Sequence, residues 1–286
     1  MIDAHQHVWR IGANDCSWPT PDLAAIYRDY EPAELVALAA PLGVRGSVLV
    51  QSQTSDRDTD YLLDLAEAEP FVLGVVGWAD LASPGAGERI AQLAERPKLR
   101  GLRPMLQDMD EDDWILRPEL EPAIAAMVAH GLSFDALIAP RHLRHLQVFA
   151  ARHPQLALVV DHAGKPDIAQ GALDPWREDI AALGDLPHVS CKLSGLLTQL
   201  APGQAPEALR PFVDHLLQVF GPERLMWGSD WPVVDLAADY TMWLRLASQM
   251  LQSVHDEARA QVFGLTARTF YPVSYTHLTL PTIYSV

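Results

Sequence analysis

Cysteine is almost absent from this sequence of 286 residues. Only Cys16 and Cys191 occur, so a disulfide framework of the kind that supports small secreted domains is excluded. A zinc site built from several cysteines is excluded for the same reason. The fold must therefore rest on a hydrophobic core, and the hydrophobic share of 49% is sufficient for one.

Basic residues are also few. The chain has 21 Lys and Arg against 37 Asp and Glu, a formal net charge of -16. Nucleic acids and anionic membrane surfaces are bound by clustered Lys and Arg, so neither is an expected partner. The sequence lacks both the run of about 18 apolar residues that a membrane-spanning helix needs and the pattern of a signal peptide. We therefore expect a cytoplasmic protein.

Several common functional motifs are missing as well. The sequence has no Gly-x-Ser-x-Gly turn of a serine hydrolase, no glycine-rich nucleotide loop and no His-Glu-x-x-His helix of a zinc protease. Those three functions are therefore disfavoured.

Runs rich in Val, Leu, Ile and Gly alternate with amphipathic stretches along the chain. Eight runs are typical of strands buried on both faces of a parallel sheet: residues 2–9, 46–53, 71–79, 101–106, 132–138, 156–162, 189–193 and 225–228. Helices are predicted at residues 58–69, 86–95, 119–130, 140–153 and 206–220, with a last helical region from about 237 to 269. Eight strands with helical crossovers can close, so the sequence predicts a single-domain α/β fold, a (β/α)8 or TIM barrel.

The last residues of the chain do not follow this alternation. The sequence from Pro272 to Val286 resembles the translation of a transposase sequencing adapter. We therefore expect the barrel domain to comprise residues 1–271 and residues 272–286 to be a non-native tail, in which Tyr275 and His277 carry no function.

Polar residues recur where the predicted strands end, which is the edge at which barrel enzymes carry their active sites. Asp3, His5 and His7 alternate along the first strand, so a period of two would point all three side chains to one face. The other strand ends contribute these residues: Arg103, Asp135, Asp161, His162, Lys192, Ser194 and Asp230. Because the first and eighth strands become neighbours when a barrel closes, His5, His7 and Asp230 are expected to converge.

Each of these residues also has a structural interpretation. A His-x-His pair occurs by chance, Asp230 could cap a helix, and His162 could be a buried histidine with satisfied hydrogen bonds. Arg103 and Lys192 could equally contact a substrate or form a salt bridge inside the barrel. The shared position of the histidines and Asp230 at strand ends favours a functional site.

Four motifs together resemble the amidohydrolase-2 family. They are Met-Ile-Asp-Ala-His-Gln-His-Val-Trp at 1–9, Val-Val-Asp-His-Ala-Gly-Lys-Pro at 159–166, Cys-Lys-Leu-Ser-Gly at 191–195 and Met-Trp-Gly-Ser-Asp-Trp-Pro at 226–232. The resemblance spans about residues 1–271 and points to the sugar-lactonase branch. It implies a hydrolase that opens an aldonolactone such as L-fucono- or L-rhamnonolactone.

The resemblance bears on metal content too. Family relatives with two metal ions carry a carboxylated lysine at strand four and a histidine at strand five, where this chain has Arg103 and Asp135. A two-metal site is therefore not expected. Either no metal is required or one divalent ion, for which Zn²⁺ suits the donors, is held by this set: His5, His7, His162 and Asp230.

Lactone hydrolysis needs a base for water, positive charge at the developing oxyanion and a proton for the leaving oxygen. Asp230 is the expected base, and burial at the barrel mouth is expected to raise its pKa. His5, His7, His162 and Arg103 are the candidates that polarise the carbonyl. The residues expected to contact the substrate are Arg103, Lys192, Gln51, Trp78 and Asp135, whereas structural roles are expected for Lys165 and Ser194.

Three other functions stay open. A dicarboxylate lactonase of the pyrone type would need several cations around its substrate. A decarboxylase of the same superfamily would depend on a bound metal. An inactive barrel could serve as a binding module, but such a protein has no need for ionisable groups at its mouth. The expected partner is a small-molecule substrate, and the sequence is compatible with a homo-oligomer.

Overall fold

The computed structural model describes residues 1–273, and eight short strands form its centre. Their bounds are β1 (Asp3–Gln6), β2 (Ser47–Val50), β3 (Val72–Gly77), β4 (Leu99–Leu102), β5 (Ser133–Ala136), β6 (Leu158–Val160), β7 (Val189–Leu193) and β8 (Leu225–Trp227). All neighbouring pairs are parallel and the spatial order follows the chain order. Parallel neighbours in sequence order are the arrangement that a barrel requires.

The ends of the sheet meet just beyond β8. A parallel bridge joins Gln6 to Trp231. The backbone N–H of Asp230 donates to the carbonyl oxygen of His5 at 2.8 Å, and the N–H of His7 donates to that of Trp231 at 2.7 Å. The sheet is thus closed at the upper edge, where the first strand brings its two histidines beside Asp230.

Helices connect the strands and cover the outside of the barrel. Their bounds are α1 (Pro32–Ala39), α2 (Asp56–Ala68), α3 (Ala86–Ala94), α4 (Glu121–Ala129), α5 (Leu143–Arg152), α6 (Trp176–Gly184), α7 (Arg210–Phe220), α8 (Tyr240–Met250), α9 (Asp256–Ala260) and α10 (Thr266–Phe270). The predicted single-domain TIM barrel is confirmed. The predicted strands and the five separate predicted helices differ from the observed ones by a few residues, because strand ends pass into loops without a change in hydrophobicity. The last predicted helical region is divided into α8, α9 and α10, and no separate helix was predicted at α1 or α6.

The first strand departs from the predicted alternation. Its register against β2 shifts between Asp3 and Gln6. The Asp3 carboxylate accepts a hydrogen bond from the Tyr240 hydroxyl on α8 at 3.1 Å and from the backbone N–H of Ser229 at 2.8 Å. The expectation that Asp3 shares a face with the histidines is wrong, because the irregular register turns its side chain toward the helical layer.

Two hydrophobic clusters divide the core. The larger one lies between the sheet and the helices, and the smaller one fills the lower barrel. Strand alternation separates them: Leu49 belongs to the outer cluster, whereas Val48 and Val50 belong to the inner one. Tyr271 and Val273, at the end of the described chain, also pack into the inner cluster. The apolar floor leaves the upper barrel for polar side chains.

Two further observations concern the expected properties of the chain. Among residues 1–273, none of the helices combines the length and the hydrophobicity needed to cross a bilayer. The predicted tail begins at Pro272 and therefore lies almost wholly outside the described residues, so its non-native origin stays a prediction.

Candidate active site

A cavity of about 560 Å³ opens at the carboxyl ends of the strands. His7, Arg103, His162 and Asp230 line it, and the His5 ring lies buried directly beside them. The structure thus brings together the three histidines and the aspartate that the sequence analysis selected. This is the end of the barrel at which active sites of this fold occur.

His5, His7 and Asp230 converge on one point. The two Nε2 atoms lie 3.2 Å apart, and Asp230 Oδ1 lies 3.2 Å from His7 Nε2 and 3.7 Å from His5 Nε2. Four ligands at about 2.0–2.1 Å around a tetrahedral Zn²⁺ are about 3.3 Å from one another. The three donor atoms therefore have the spacing of ligands to one ion.

The ring of His7 is oriented by its other nitrogen. Nδ1 lies 2.8 Å from the carbonyl oxygen of Val50, which only accepts, so Nδ1 carries the proton. Nε2 of the neutral ring then has a lone pair that faces the Asp230 carboxylate, and two acceptors this close need a hydrogen-bond donor or a metal ion beside both of them. A proton or a metal ion satisfies this arrangement, and the donor set fits either.

His162 reaches the site from a sharp turn after β6. His162 and Ala163 both have left-handed backbone conformations, with φ of 52° and 55°, which are costly for residues other than glycine. The turn places Nδ1 2.9 Å from the Ser194 hydroxyl and Nε2 3.9 Å from Asp230 Oδ1. A Cβ on Gly195 would lie 2.5 Å from Nδ1 of His162, so this close approach requires glycine. Burial lowers the pKa of His162 to about 4, so the ring is neutral at neutral pH.

Asp230 is charged, and the expected direction of its pKa shift is wrong. Burial acts as expected and disfavours the carboxylate. In acid, where His162 is protonated, its positive charge outweighs burial, so the pKa of Asp230 lies below its usual value. The backbone of Asp230 is also left-handed, with φ of 59°. Strained conformations at two ionisable residues of one cavity are typical of functional sites.

A layer of buried charges lies beneath the cavity. The Lys192 ammonium is 2.6 Å from Asp135 Oδ2, 2.9 Å from Asp161 Oδ1 and 3.1 Å from His5 Nδ1. Asp135 also accepts from Ser133 at 2.8 Å. Burial acts to raise the pKa of Asp161, but the positive charge of Lys192 holds it well below its usual range.

Arg103 joins this layer to the cavity. Its Nη2 donates to the carbonyl oxygen of Gln51, and its Nη1 lies 3.3 Å from Asp161 Oδ2. Gln51 in turn donates from Nε2 to the carbonyl oxygen of Arg103 at 2.7 Å. Arg103 therefore forms the buried salt bridge that was one of its two alternatives, and because it also lines the cavity, its contact with substrate stays a prediction.

The other residues predicted to contact substrate do not line the cavity. Lys192, Asp135 and Gln51 are fully buried in the layer below it. Trp78 is half-buried outside the cavity wall, where its backbone N–H and carbonyl bind the Thr59 hydroxyl at 2.8 and 2.9 Å. Direct substrate contact for these four side chains is therefore not supported by their positions.

Most of the cavity wall was not predicted from the sequence. The residues that were not singled out but line the cavity are Ser17, Trp18, Ser52, Gln53, Thr54, Met105, Gln107, Asp108, Met109, Leu137, Gly195, Thr198 and Val233. Lys165, which was expected to be structural, lines it too. Gln53 and Gln107 follow strand ends and could have been found by that criterion. Trp18 lies in the loop between β1 and α1, and no sequence signal links that loop to the site. Gln53 fixes it by accepting from the backbone N–H of Ser17 at 2.9 Å and donating to the Trp18 carbonyl at 2.7 Å.

Comparisons with known proteins agree with this geometry. A family model described as amidohydrolase matches residues 2–273. The L-fucono-1,5-lactonase of Burkholderia ambifaria is 50% identical over 278 residues, which cover 95% of both chains. The L-fucono-1,5-lactonase of Burkholderia multivorans is 39% identical over 94% of this chain and 95% of the relative. A crystal structure of an amidohydrolase from Burkholderia multivorans with bound Zn is 37% identical, covers 96% of this chain and 99% of that one, and has a TM-score of 0.90.

Proposed function

The chain belongs to the amidohydrolase family, and we propose that it is a lactonase that opens the ring of an aldonolactone such as L-fucono-1,5-lactone. The observation that carries the proposal is the cavity itself, in which His7, His162 and Asp230 meet a wall that carries both uncharged polar and apolar side chains.

The cavity wall suits a polyhydroxylated ring. The hydroxyls of Thr54 and Thr198 and the amide of Gln107 supply both donors and acceptors. Such groups match sugar hydroxyls, which also donate and accept. Trp18 adds an apolar surface on which one face of a sugar ring can lie.

Asp230 is the proposed base. Its carboxylate is ionised across the neutral range, and it takes a proton from a water molecule as the water oxygen bonds to the lactone carbonyl carbon. When the tetrahedral intermediate collapses, the bond between the carbonyl carbon and the ring oxygen breaks. Asp230 then returns the proton to the ring oxygen, and the product is the open-chain hydroxy acid.

A low pKa makes Asp230 a weak base, so the carbonyl must be made a better electrophile. Arg103 and Lys165 line the cavity and provide positive charge for the developing oxyanion. Fixed charge of this kind stabilises the transition state more than the substrate, because negative charge on the oxygen appears only as water adds.

One divalent ion, Zn²⁺ by the chemistry of the donors, is the proposed additional group. His5, His7 and Asp230 would hold it, and His162 lies close enough to join them. When bound, such an ion polarises a carbonyl and lowers the pKa of a water molecule.

A dicarboxylate lactonase is less well supported. It needs cations that are free to bind two carboxylates, and the wall offers Arg103 and Lys165. Arg103 is already paired with Asp161 and with a backbone carbonyl. Lys165 alone provides one positive charge, whereas the substrate has two negatively charged carboxylates.

The proposal is tested by following acid release on a panel of aldonolactones, with wild type compared with Asp230→Asn. We expect turnover of L-fucono-1,5-lactone that falls at least about 100-fold in the variant. Asp235→Asn is the matched control, because Asp235 lies five residues further on and outside the cavity wall. Hydrolysis no faster than the spontaneous rate on every lactone, by folded wild type, would overturn the proposal.

Metal content is tested in the same assay. Wild type is dialysed against a chelator, assayed, and assayed again after addition of Zn²⁺. Loss and recovery of activity would support the ion as a participant, whereas unchanged activity in verified metal-free protein would overturn that part of the proposal and leave Arg103 and Lys165 as the polarising groups.

A further inference from the structure

Lys192 has an unusual position for a lysine. Its side chain is completely buried and its ammonium has three acceptors within 3.1 Å. Two of these are carboxylate oxygens of Asp135 and Asp161, and the third is Nδ1 of His5. A buried ammonium is stable only when its donors are satisfied, so the contact with His5 is part of what keeps this charge in the barrel.

The contact determines which nitrogen of His5 carries the ring proton. An ammonium only donates, so Nδ1 must accept at 3.1 Å and the proton of the neutral ring is on Nε2. A ring whose Nδ1 accepts from an ammonium has one proton and is therefore neutral. Nε2–H then points toward the lone pair of His7 Nε2 at 3.2 Å. The hydrogen bonds run in one direction, from Lys192 through His5 and His7 to the carbonyl of Val50.

The opposite assignment has poorer contacts. If the proton were on Nδ1, its carboxylate partner among residues 1–273 would be Asp161, with Oδ1 at 3.5 Å. The Lys192 ammonium would then face another donor at 3.1 Å inside the barrel. Arg103 Nη1 lies 3.4 Å from Nε2 of His5, but it has a closer partner in Asp161 Oδ2 at 3.3 Å.

We propose that Lys192 holds the ring proton of His5 on Nε2 and thereby withholds this nitrogen from a metal ion. Lys192 is then a positioning residue that sets the metal affinity of the site. The inference rests on the metal site of the proposed function, but it does not depend on which lactone is hydrolysed or on activity of any kind.

Lys192 and a metal ion therefore compete over the position of the proton on the His5 ring. A metal binds His5 Nε2 only after the ring proton has passed to Nδ1. Asp161 can accept that proton once Lys192 no longer donates to the ring, which gives the carboxylate–histidine–metal arrangement that strengthens metal sites. Loss of the Lys192 donor should therefore increase the affinity for Zn²⁺, provided that Asp161 is present.

Two double variants with unchanged net charge test this. Lys192→Met with Asp135→Asn removes the donor and keeps Asp161, and we expect its Kd for Zn²⁺ to fall at least about tenfold below that of wild type. Lys192→Met with Asp161→Asn removes the donor and also the acceptor for Nδ1–H, and we expect no such gain. Competition against a chromophoric chelator gives both constants. Equal affinity in all three proteins, or an equal gain in both variants, would overturn the proposal.

A measurement on the unaltered protein covers the case in which the variants do not fold. Long-range ¹H–¹⁵N spectra of metal-free protein with ¹⁵N-labelled histidine rings report which nitrogen carries the proton, and His5→Gln identifies the signals of His5. We expect Nε2–H for His5. A proton on Nδ1 would overturn the proposal whether or not the protein hydrolyses lactones.

Discussion

The hydroxyl of Tyr271 donates a hydrogen bond to the carboxylate of Asp135 inside the barrel. Both residues are completely buried. Tyr271 follows the last helix, α10, and packs in the inner apolar cluster, whereas Asp135 belongs to the charged layer beneath the cavity. The Lys192 ammonium lies 5.4 Å from the centre of the Tyr271 ring. The end of the barrel domain therefore supports the floor of the candidate active site from below.

Tyr271→Phe is expected to destabilise the protein. The change removes only the hydroxyl, and Asp135 loses one donor to a buried carboxylate. We expect the free energy of unfolding to fall by about 1–3 kcal/mol, measured by urea denaturation. Tyr27→Phe is the control, because Tyr27 is 39% exposed. A Tyr271→Phe variant as stable as wild type would show that this hydrogen bond contributes nothing.

Two deletions from the C-terminus test where the barrel ends and the predicted tail begins. Because residues 272–286 are interpreted as non-native, deletion of residues 274–286 is expected to leave both lactone hydrolysis and the urea midpoint unchanged. Deletion from Tyr271 onward is expected to lower the urea midpoint, since Tyr271 and Val273 are buried against the inner cluster. A clear loss of stability in the shorter deletion would contradict the interpretation of the tail.

Lys165→Met is expected to slow the chemical step. Lys165 lines the cavity and donates to the side chain of Gln107. Methionine keeps the length of the side chain and removes its charge and its donors. Because the Lys165 charge is proposed to stabilise the developing oxyanion, we expect kcat for the aldonolactone to fall about tenfold, with a smaller change in KM. Lys98→Met, which removes a lysine that donates to the Val72 carbonyl before β4, should leave both constants within about twofold. The same result for Lys165→Met would exclude it from oxyanion stabilisation.

Asp58 is expected to make stability depend on pH. Burial raises the pKa of Asp58 from its ordinary value of 3.8 to about 7, although backbone N–H groups of Ser52 and Gln53 oppose this shift. The folded state therefore binds the proton more tightly than the unfolded state. Below about pH 4, Asp58 does not lower the free energy of unfolding. As the pH rises to about 7, its ionisation lowers the free energy of unfolding by an increasing amount, which stays constant at higher pH.

The Asp58→Asn variant has no ionisable side chain at this position, so its free energy of unfolding should not show this loss. The difference in unfolding free energy, variant minus wild type, is expected to increase by about 4 kcal/mol between about pH 4 and about pH 8. Urea denaturation at several pH values in this range measures it. Asp22→Asn, at an exposed position, should give a flat difference. A flat difference for Asp58→Asn as well would mean that its carboxyl ionises normally in the folded protein.

Some parts of the fold and the site could be predicted from the sequence, and others could not. The hydrophobic runs predicted every strand of the barrel because strands buried on both faces have little tolerance for polar residues. His5, His7, His162 and Asp230 were found because barrel closure follows from the strand count, and closure brings the first and eighth strands together. The face of the first strand on which the Asp3 side chain lies was predicted wrongly, since a register shift of one strand is not encoded in the alternation of its residues.

The sequence by itself determined the order of strands and helices, the closure of the barrel and the identity of the ionisable groups at its mouth, because hydrophobic periodicity and chain connectivity are local properties. Only the tertiary structure decided which polar groups face the cavity and which lie beneath it. Lys192 lies in β7 and Lys165 follows β6. Lys192 is enclosed by Asp135, Asp161 and His5, whereas Lys165 lines the cavity. The sign of the pKa shift of Asp230 was decided in the same way, since it depends on distances to His162 and His7 that arise only when distant parts of the chain meet.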